Sequence, residues 1–100
     1  MKRIINKRVY NTETAKYLGW VRKTHCGGNV TDLYLYKKRN GEYFLEVDGF
    51  SRTFYRNTDF MEFENEEDEM EYENKFFFEG KGIVPLSDYD ANRYLTSINN

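Results

Sequence analysis

An alternating pattern on either side of Asn40 and Gly41 constrains the fold more than any other feature of this chain. Residues 33–38 alternate leucine with tyrosine before two lysines, and residues 43–48 again place a large side chain on each face. An Asn-Gly pair between two alternating runs is the strongest short-range signal for a β-hairpin. Because both faces of this hairpin carry large residues, we expect one face to meet a helix. The other would form a second apolar layer or an adhesive surface.

The carboxy terminus predicts a helix that begins at Asp88. Ser87 and Asp90 approximate a capping box, in which each residue satisfies a group at the start of the helix. Helical spacing then relates Tyr89, Ala91, Tyr94, Leu95 and Ile98. Before this helix, residues 80–82 predict a turn and residues 83–86 an extended lead.

The amino-terminal third predicts short elements. Residues 4–10 fit two short strands joined by a tight turn, or one bent strand at the sheet edge. Asn11 or Thr12 could cap a short helix that ends at Leu18 before Gly19, with Ala15 and Leu18 facing the core. Further elements are a strand at 20–24, a flexible turn at 27–29, a strand at 50–55 and core-entering phenylalanines at 76–78.

These elements predict an α+β fold: a twisted antiparallel sheet centred on the 33–47 hairpin, a short amino-terminal helix and a carboxy-terminal helix. One hundred residues suit a single domain, residues 1–100, and 18% aromatic content supplies apolar area for its core. No apolar run reaches the roughly 20 residues needed to cross a bilayer. With the single Cys26, this favours a cytoplasmic protein without membrane association.

Catalysis has little support in the sequence. His25 and Cys26 are adjacent, so on a strand their side chains would point to opposite faces, which separates a nucleophile from its base. The chain has no spaced quartet of Cys and His for zinc and no phosphate-cradling glycine pattern. We therefore expect a non-enzymatic protein with no catalytic residue, no metal and no cofactor.

Charge is strongly segregated along the chain. Residues 59–73, here called the acidic segment, contain nine carboxylates and no Lys or Arg, with Met61, Phe63, Met70 and Tyr72 interleaved. Residues 1–58 carry a balance of +7, the acidic segment −9, and residues 74–100 zero. Apolar groups within a charge run indicate a folded acidic ridge, because a solvated tail has no use for them.

Three structures, a hairpin, a helix or a mobile loop, and three roles remain open for the acidic segment. A hairpin that turns at 65–68 is preferred to a helix, whose apolar face Glu67 would interrupt. The segment could be a solvated face, a weak and nonspecific cation site, or a surface that imitates nucleic-acid phosphates. Duplex DNA carries about one charge per 1.7 Å, and two paired glutamate strands approach a comparable density. In the third role the partner-binding residues are Asp59, Glu62, Glu64, Glu66, Glu67, Asp68, Glu69, Glu71, Tyr72 and Glu73.

The basic residues support an alternative. With Tyr34, Tyr36 and Tyr43, they could form a basic sheet that binds nucleic acid directly. Such a protein would have a regulatory role and could act as a homodimer. A solvated face around a Tyr/Phe core is the preferred interpretation of these residues. The residues concerned are Lys2, Arg3, Lys7, Arg8, Arg22, Lys23, Lys37, Lys38, Arg39, Arg52 and Arg56.

Three blocks of sequence carry a resemblance. They are residues 4–19, with the run Tyr-Asn-Thr-Glu-Thr-Ala at 10–15, residues 33–45, and Ile-Val-Pro-Leu-Ser at 83–87 before the terminal helix. Together they resemble a family of small proteins carried on phages, plasmids and conjugative elements of low-GC Gram-positive bacteria. Lys7 stands where that family often has Gly, and the acidic segment replaces a shorter Gly/Ser-rich connection.

Similar proteins occur among anti-CRISPR inhibitors and their neighbours. The resemblance therefore implies an inhibitor that acts in the cytoplasm of the bacterial host on a CRISPR effector nuclease of the Cas9 type. Combined with the acidic segment, it suggests a DNA mimic that occupies the cationic nucleic-acid channel of the effector. Direct nucleic-acid binding is the alternative.

Overall fold

The computed structural model describes residues 1–5, 7–24, 30–49, 67 and 80–99. The fold is α+β, with antiparallel sheets and a carboxy-terminal helix, as the sequence predicts. Its elements are β1 (Lys2–Ile5), β2 (Arg8–Asn11), β3 (Lys16–Thr24), β4 (Val30–Lys37), β5 (Tyr43–Asp48), β6 (Lys81–Leu86) and α1 (Asp88–Asn99).

The predicted central hairpin is confirmed as β4 and β5. Leu35 pairs with Leu45, and the register continues to Lys37 opposite Tyr43. The connection is a three-residue loop, closed by a 2.7 Å hydrogen bond from the Lys38 N–H to the Glu42 carbonyl. Three-residue loops are among the common hairpin connections. The Asn-Gly pair therefore marked the position of the hairpin correctly.

A four-stranded antiparallel sheet grows from this hairpin in the order β3-β4-β5-β6, and β1 and β2 form a separate two-stranded sheet. The two amino-terminal strands confirm the first of the two predicted arrangements for residues 4–10. Each sheet neighbour pair within the described residues is antiparallel, which lets one face differ in character from the other.

The first face of the four-stranded sheet packs against α1. Its buried centre is Leu33, Leu35, Leu45, Val47 and Val84. Tyr94, Leu95 and Ile98 of α1 cover this cluster, while Ala91 is fully buried. Tyr89 shares the helical spacing but is 73% exposed, so it lies on the solvent side of the helix.

The second face packs against the two-stranded sheet. Phe44 and Ile83 form a buried cluster with Ile5 and Tyr10. The Tyr10 ring meets Phe44 edge to face at 5.5 Å, and the Tyr36 ring stacks on Phe44 at 5.3 Å. The second apolar layer predicted from the hairpin is therefore present, and the described part of the protein has three layers.

The predicted helix from 12 to 18 is wrong. The Asn11 side-chain oxygen accepts the Glu13 N–H at 2.9 Å, and the Asn11 backbone carbonyl accepts the Ala15 N–H at 3.1 Å. Together these bonds make a single turn. The chain then enters β3 at Lys16. A helix of seven residues is marginal, whereas a strand at the sheet edge gains ladder hydrogen bonds along its length. Ala15 and Leu18 do reach the core, but in clusters on opposite faces of the sheet.

The predicted turn at residues 80–82 is also wrong beyond its first residue. Gly80 bends the chain, but Lys81 and Gly82 already pair with Asp48 and Val47. The extended lead at 83–86 belongs to the same strand, β6. The strand predicted at 20–24 is confirmed and begins four residues earlier, at Lys16. The elements predicted at 27–29, 50–55 and 76–78 lie outside the described residues.

The start of α1 confirms Ser87 as the predicted cap, with Asp90 bound to its hydroxyl rather than to its backbone N–H. The Ser87 hydroxyl oxygen accepts the Asp90 N–H at 3.2 Å and donates to the Asp90 carboxylate at 2.9 Å. Asp88 and Asp90 also place negative charge at the positive end of the helix dipole. Among the described residues, no helix has the length and apolar character needed to cross a membrane.

A close approach between Gly19 and Ile98 fixes the position of α1 on β3. A Cβ atom at residue 19 would lie 2.5 Å from Cγ2 of Ile98. We expect Gly19→Ala to lower the free energy of unfolding by about 1–3 kcal/mol through overpacking. The measurement is urea unfolding of Gly19→Ala, Ile98→Ala and the double variant. The double variant should lose less free energy of unfolding than the two single variants lose in sum, because Ile98→Ala removes the clash. Additive losses would contradict this contact.

Candidate functional site

The acidic segment lies almost wholly outside the described residues. Glu67 is the exception, and it is helical and exposed. The choice between hairpin, helix and mobile loop stays open, because the other predicted partner-binding residues lie outside the described residues: Asp59, Glu62, Glu64, Glu66, Asp68, Glu69, Glu71, Tyr72 and Glu73.

The structure does describe how this part of the chain is attached. Residues 50–79 connect β5 to β6, which are adjacent antiparallel strands. Asp48 pairs with Lys81 in the ladder, and the Gly49 N–H donates to the Gly80 carbonyl at 3.0 Å. The 30-residue connection therefore leaves and re-enters the sheet at one point.

The backbone conformation at Gly49, where the chain leaves the sheet, favours glycine. Its φ is +110°, a region that other residues rarely adopt. A Cβ there would lie 2.5 Å from the backbone oxygen of Val30, so the chain passes directly against the start of β4. Any side chain at this position would require the backbone itself to shift.

The predicted basic sheet is not formed as one surface by the described residues. Arg22 lies on the face of Tyr34, whereas Lys23 lies over the Tyr94 ring on the helix side. Tyr36 is part of the Phe44 cluster, which matches the alternative of a Tyr/Phe core. Arg52 and Arg56 lie outside the described residues.

Several cations instead gather at the end of the sheet that carries the β4–β5 loop, here called the basic end. It consists of Arg8, Lys16, Lys37, Lys38 and Arg39, with Glu13 and Glu42 as the nearby carboxylates. Its centre is Glu42, which pairs with Arg8 of β2 and with Lys38 at 3.0 Å. The pair with Arg8 joins the two-stranded sheet to the central hairpin, and the pair with Lys38 lies within the hairpin loop.

Hydrogen bonding shifts the acidity of Glu42. The Asn40 amide donates to its carboxylate at 2.6 Å and Lys38 donates to the same oxygen. These two bonds lower the pKa of Glu42 below its ordinary value of 4.5. The carboxylate is therefore charged throughout the neutral range and keeps the loop closed.

Sequence reasoning missed one surface group altogether. Asp32 accepts the indole N–H of Trp20 at 3.1 Å and pairs with Arg22 at 2.8 Å. The Arg22 guanidinium also lies 5.3 Å from the centre of the Trp20 ring. The bond from Arg22 lowers the pKa of Asp32. The opposite charges of Arg22 and Asp32 were the available signal for this group. The pairing of the two residues across β3 and β4 was not predictable, because the sequence did not indicate that β3 extends to Lys16.

This group leaves an aromatic surface only partly covered. Trp20 is 46% exposed and Tyr17 is 53% exposed on the same face of β3. Asp32, Glu46 and Asp48 lie on that face with Arg22 and Lys81. Its excess of carboxylates makes it a poor surface for phosphates.

The described residues contain no group of three or more His, Cys, Asp or Glu side chains able to hold a metal ion. His25 and Cys26 lie outside the described residues, so the prediction that neither is catalytic stays a prediction.

No known protein family, curated protein or solved structure matches this chain.

Glu42 makes acid stability measurable at the basic end. Because its pKa is lowered by folding, its stabilisation is complete above pH 4.5 and is lost as pH falls through the lowered value. We expect Glu42→Gln to cost about 0.5–1 kcal/mol at pH 7, a typical contribution of surface ion pairs. In denaturant unfolding from pH 7 to pH 2, the difference from wild type should shrink below pH 4.5. A difference that stays constant over this range would contradict the assignment.

Asp32 predicts a change in the environment of the sole tryptophan. Asp32→Ala removes both the acceptor for the indole and the anchor of Arg22, so Trp20 should become more accessible to acrylamide. The measurement is quenching of its fluorescence, with Asp48→Ala as a control that removes a carboxylate from the same face. Equal quenching in wild type and Asp32→Ala would show that Asp32 does not hold the indole.

Proposed function

We propose that this chain is a non-enzymatic binding protein that inhibits a CRISPR effector nuclease of the Cas9 type by presenting its acidic segment to the cationic channel for nucleic acid. The observation that carries the proposal is the concentration of nine carboxylates in residues 59–73, within a connection whose ends are held at adjacent strands.

The charge distribution supports a basic partner. The described residues outside the acidic segment include twelve basic and seven acidic side chains, a balance of +5, against −9 in the segment. Such separation attracts a cationic surface to one part of the molecule, and steers its approach at low salt. The near-neutral total of −2 conceals this property.

The attachment supports recognition by the segment as a unit. The Gly49–Gly80 bond and the Asp48–Lys81 pair already hold the two ends of this connection together. Part of the entropic cost of closing the loop is therefore met by the folded sheet. Less ordering then remains to be done on binding, and reduced ordering cost raises affinity. The sheet supplies a fixed base for the segment.

The chemistry of the target follows from the charge. An effector that reads a protospacer-adjacent motif uses exposed arginines in the major groove, and its guide duplex lies in a positively charged channel. A dense array of carboxylates can pair with those arginines in place of phosphates. The same array offers no base edges, so inhibition should not depend on target sequence.

The test is competition for a purified Cas9-type effector. Wild type should bind the effector and release its DNA. Glu66→Gln, Glu67→Gln and Glu69→Gln together should weaken binding at least about tenfold, because charge-assisted bonds to arginine are lost. A matched control neutralises three carboxylates elsewhere, with Glu13→Gln, Glu46→Gln and Asp88→Asn.

The control should retain effector binding within about threefold of wild type, since these carboxylates lie outside the acidic segment and salt screens their long-range effect. Circular dichroism establishes that both variants are folded. Absence of binding by wild type to any effector of this type, or equal losses in the two triple variants, would refute the proposed function.

A second candidate function, direct nucleic-acid binding, is favoured by the position of the basic end. The β4–β5 loop lies at one end of β5 and the attachment of residues 50–79 at the other. Six residues of strand separate them by roughly 17 Å, more than a Debye length at physiological salt. Salt-sensitive retention of DNA or RNA by wild type, lost when Lys37, Lys38 and Arg39 become Gln, would support this function instead.

A further inference from the structure

A cleft lies at the basic end, between the two-stranded sheet and the loop of the central hairpin. Its volume is about 420 Å³, and the residues that line it are Val9, Asn11, Thr14, Ala15, Lys38, Arg39 and Asn40. They come from three separate parts of the chain: β2, the turn that replaces the predicted helix, and the β4–β5 loop. The volume lies within the range of about 300–1,000 Å³ typical of small-molecule sites.

Hydrogen-bond acceptors at this cleft are already occupied by the protein. The Asn11 side-chain oxygen accepts the Glu13 N–H at 2.9 Å, and the Asn40 side-chain oxygen accepts the Glu42 N–H at 3.0 Å. These bonds fix both amides. The Asn11 amide nitrogen has no acceptor among the described residues, and the Asn40 nitrogen keeps one proton for a ligand, because its other proton is donated to Glu42 at 2.6 Å. One acceptor position on each amide oxygen is already used within the protein.

Donors, in contrast, remain in excess. Arg39 is exposed and forms no ion pair or hydrogen bond within the described part of the chain. Lys38 has three protons, of which its Glu42 contact at 3.0 Å uses one. A site with spare donors and satisfied acceptors selects a ligand rich in acceptors.

The net charge favours an anion for the same reason. The five cations of the basic end exceed its two carboxylates, Glu13 and Glu42, by three charges, and Arg39 is in no ion pair among the described residues. Lys38 is held in place from two sides, by Glu42 and by the Tyr10 ring, whose centre lies 4.3 Å from its Nζ. A cation fixed before the ligand arrives loses little side-chain entropy on binding.

Much of the remaining wall is apolar, and Thr14 adds one hydroxyl to it. Val9 of β2 and Ala15 of the following turn offer no polar side-chain atoms, and Val9 is 45% exposed. A bare inorganic ion would leave these walls unused. The arrangement suits a ligand that has an anionic group at one end and a larger, less polar body at the other.

We propose that this cleft binds a small organic phosphate, of the size and chemistry of a nucleoside monophosphate. Arg39 and Lys38 bind the phosphate, the amides of Asn11 and Asn40 donate to its oxygens or to the sugar, and Val9 and Ala15 contact the organic body. This inference is independent of the acidic segment and of effector binding.

The experiment titrates the isotope-labelled full-length chain with adenosine monophosphate, adenosine and inorganic phosphate, followed by amide chemical shifts. Adenosine monophosphate should shift the amides of Val9, Asn11, Thr14, Ala15 and Asn40 at concentrations about tenfold below those needed for either half alone. Arg39→Gln should weaken this binding about tenfold, because a charge-assisted contact to phosphate is lost.

Lys37→Gln is the matched control. Lys37 adjoins the same loop and carries the same charge, but its Nζ lies over the Tyr43 ring at 5.3 Å and it does not line the cleft. Binding by this variant should stay within about twofold of wild type. Three results would each overturn the proposal: equal weakening in both variants, equal affinity for inorganic phosphate and adenosine monophosphate, or no shift at these amides at 10-fold higher adenosine monophosphate. These measurements do not involve an effector, so their outcome is separate from that of the proposed function.

Discussion

Burial of both faces of one β-hairpin is the constraint on which the rest of this structure depends. Phe44 and Leu45 are neighbours in β5, point to opposite faces and are both fully buried. Burying each such side chain is worth about 1.5–3 kcal/mol, so neither face can remain in water without a large loss of stability. The chain meets this requirement from its two ends, with α1 on the leucine face and the two-stranded sheet on the phenylalanine face.

This layered arrangement also separates the basic end from the attachment of residues 50–79. The hairpin loop, closed by Glu42, gathers the cations at one end of the sheet, and residues 50–79 depart from the other end at the Gly49–Gly80 bond. The strands between them keep the basic end and the attachment of the acidic segment apart. The two proposals accordingly assign different partners to the two charges, a macromolecule to the acidic segment and a small anion to the cleft.

The sequence predicted what depends on local pattern and failed where strand pairing decides. Alternation around Asn40 located the central hairpin, and the capping box at Ser87 located α1. The pattern at 12–18 suited a short helix, but pairing of Tyr17 with Tyr36 extended β3 through it. The cleft and the Asp32 group were beyond sequence reasoning, since each joins residues whose proximity follows from register. The concentration of carboxylates in the acidic segment could be read directly from the sequence. The contacts predicted for the segment remain predictions.

The measurement that tests two-sided burial most directly is amide hydrogen exchange of the folded chain, resolved by residue. Amides of β4 and β5 that pair in the sheet should exchange only through global unfolding, with a free energy equal to that from denaturant unfolding, because both covering layers must leave before these strands open. Exchange of the Phe44 or Leu45 amide at the rate of the exposed residues 39–40 would contradict the account, since it would place β5 at an open face rather than at the centre of the protein.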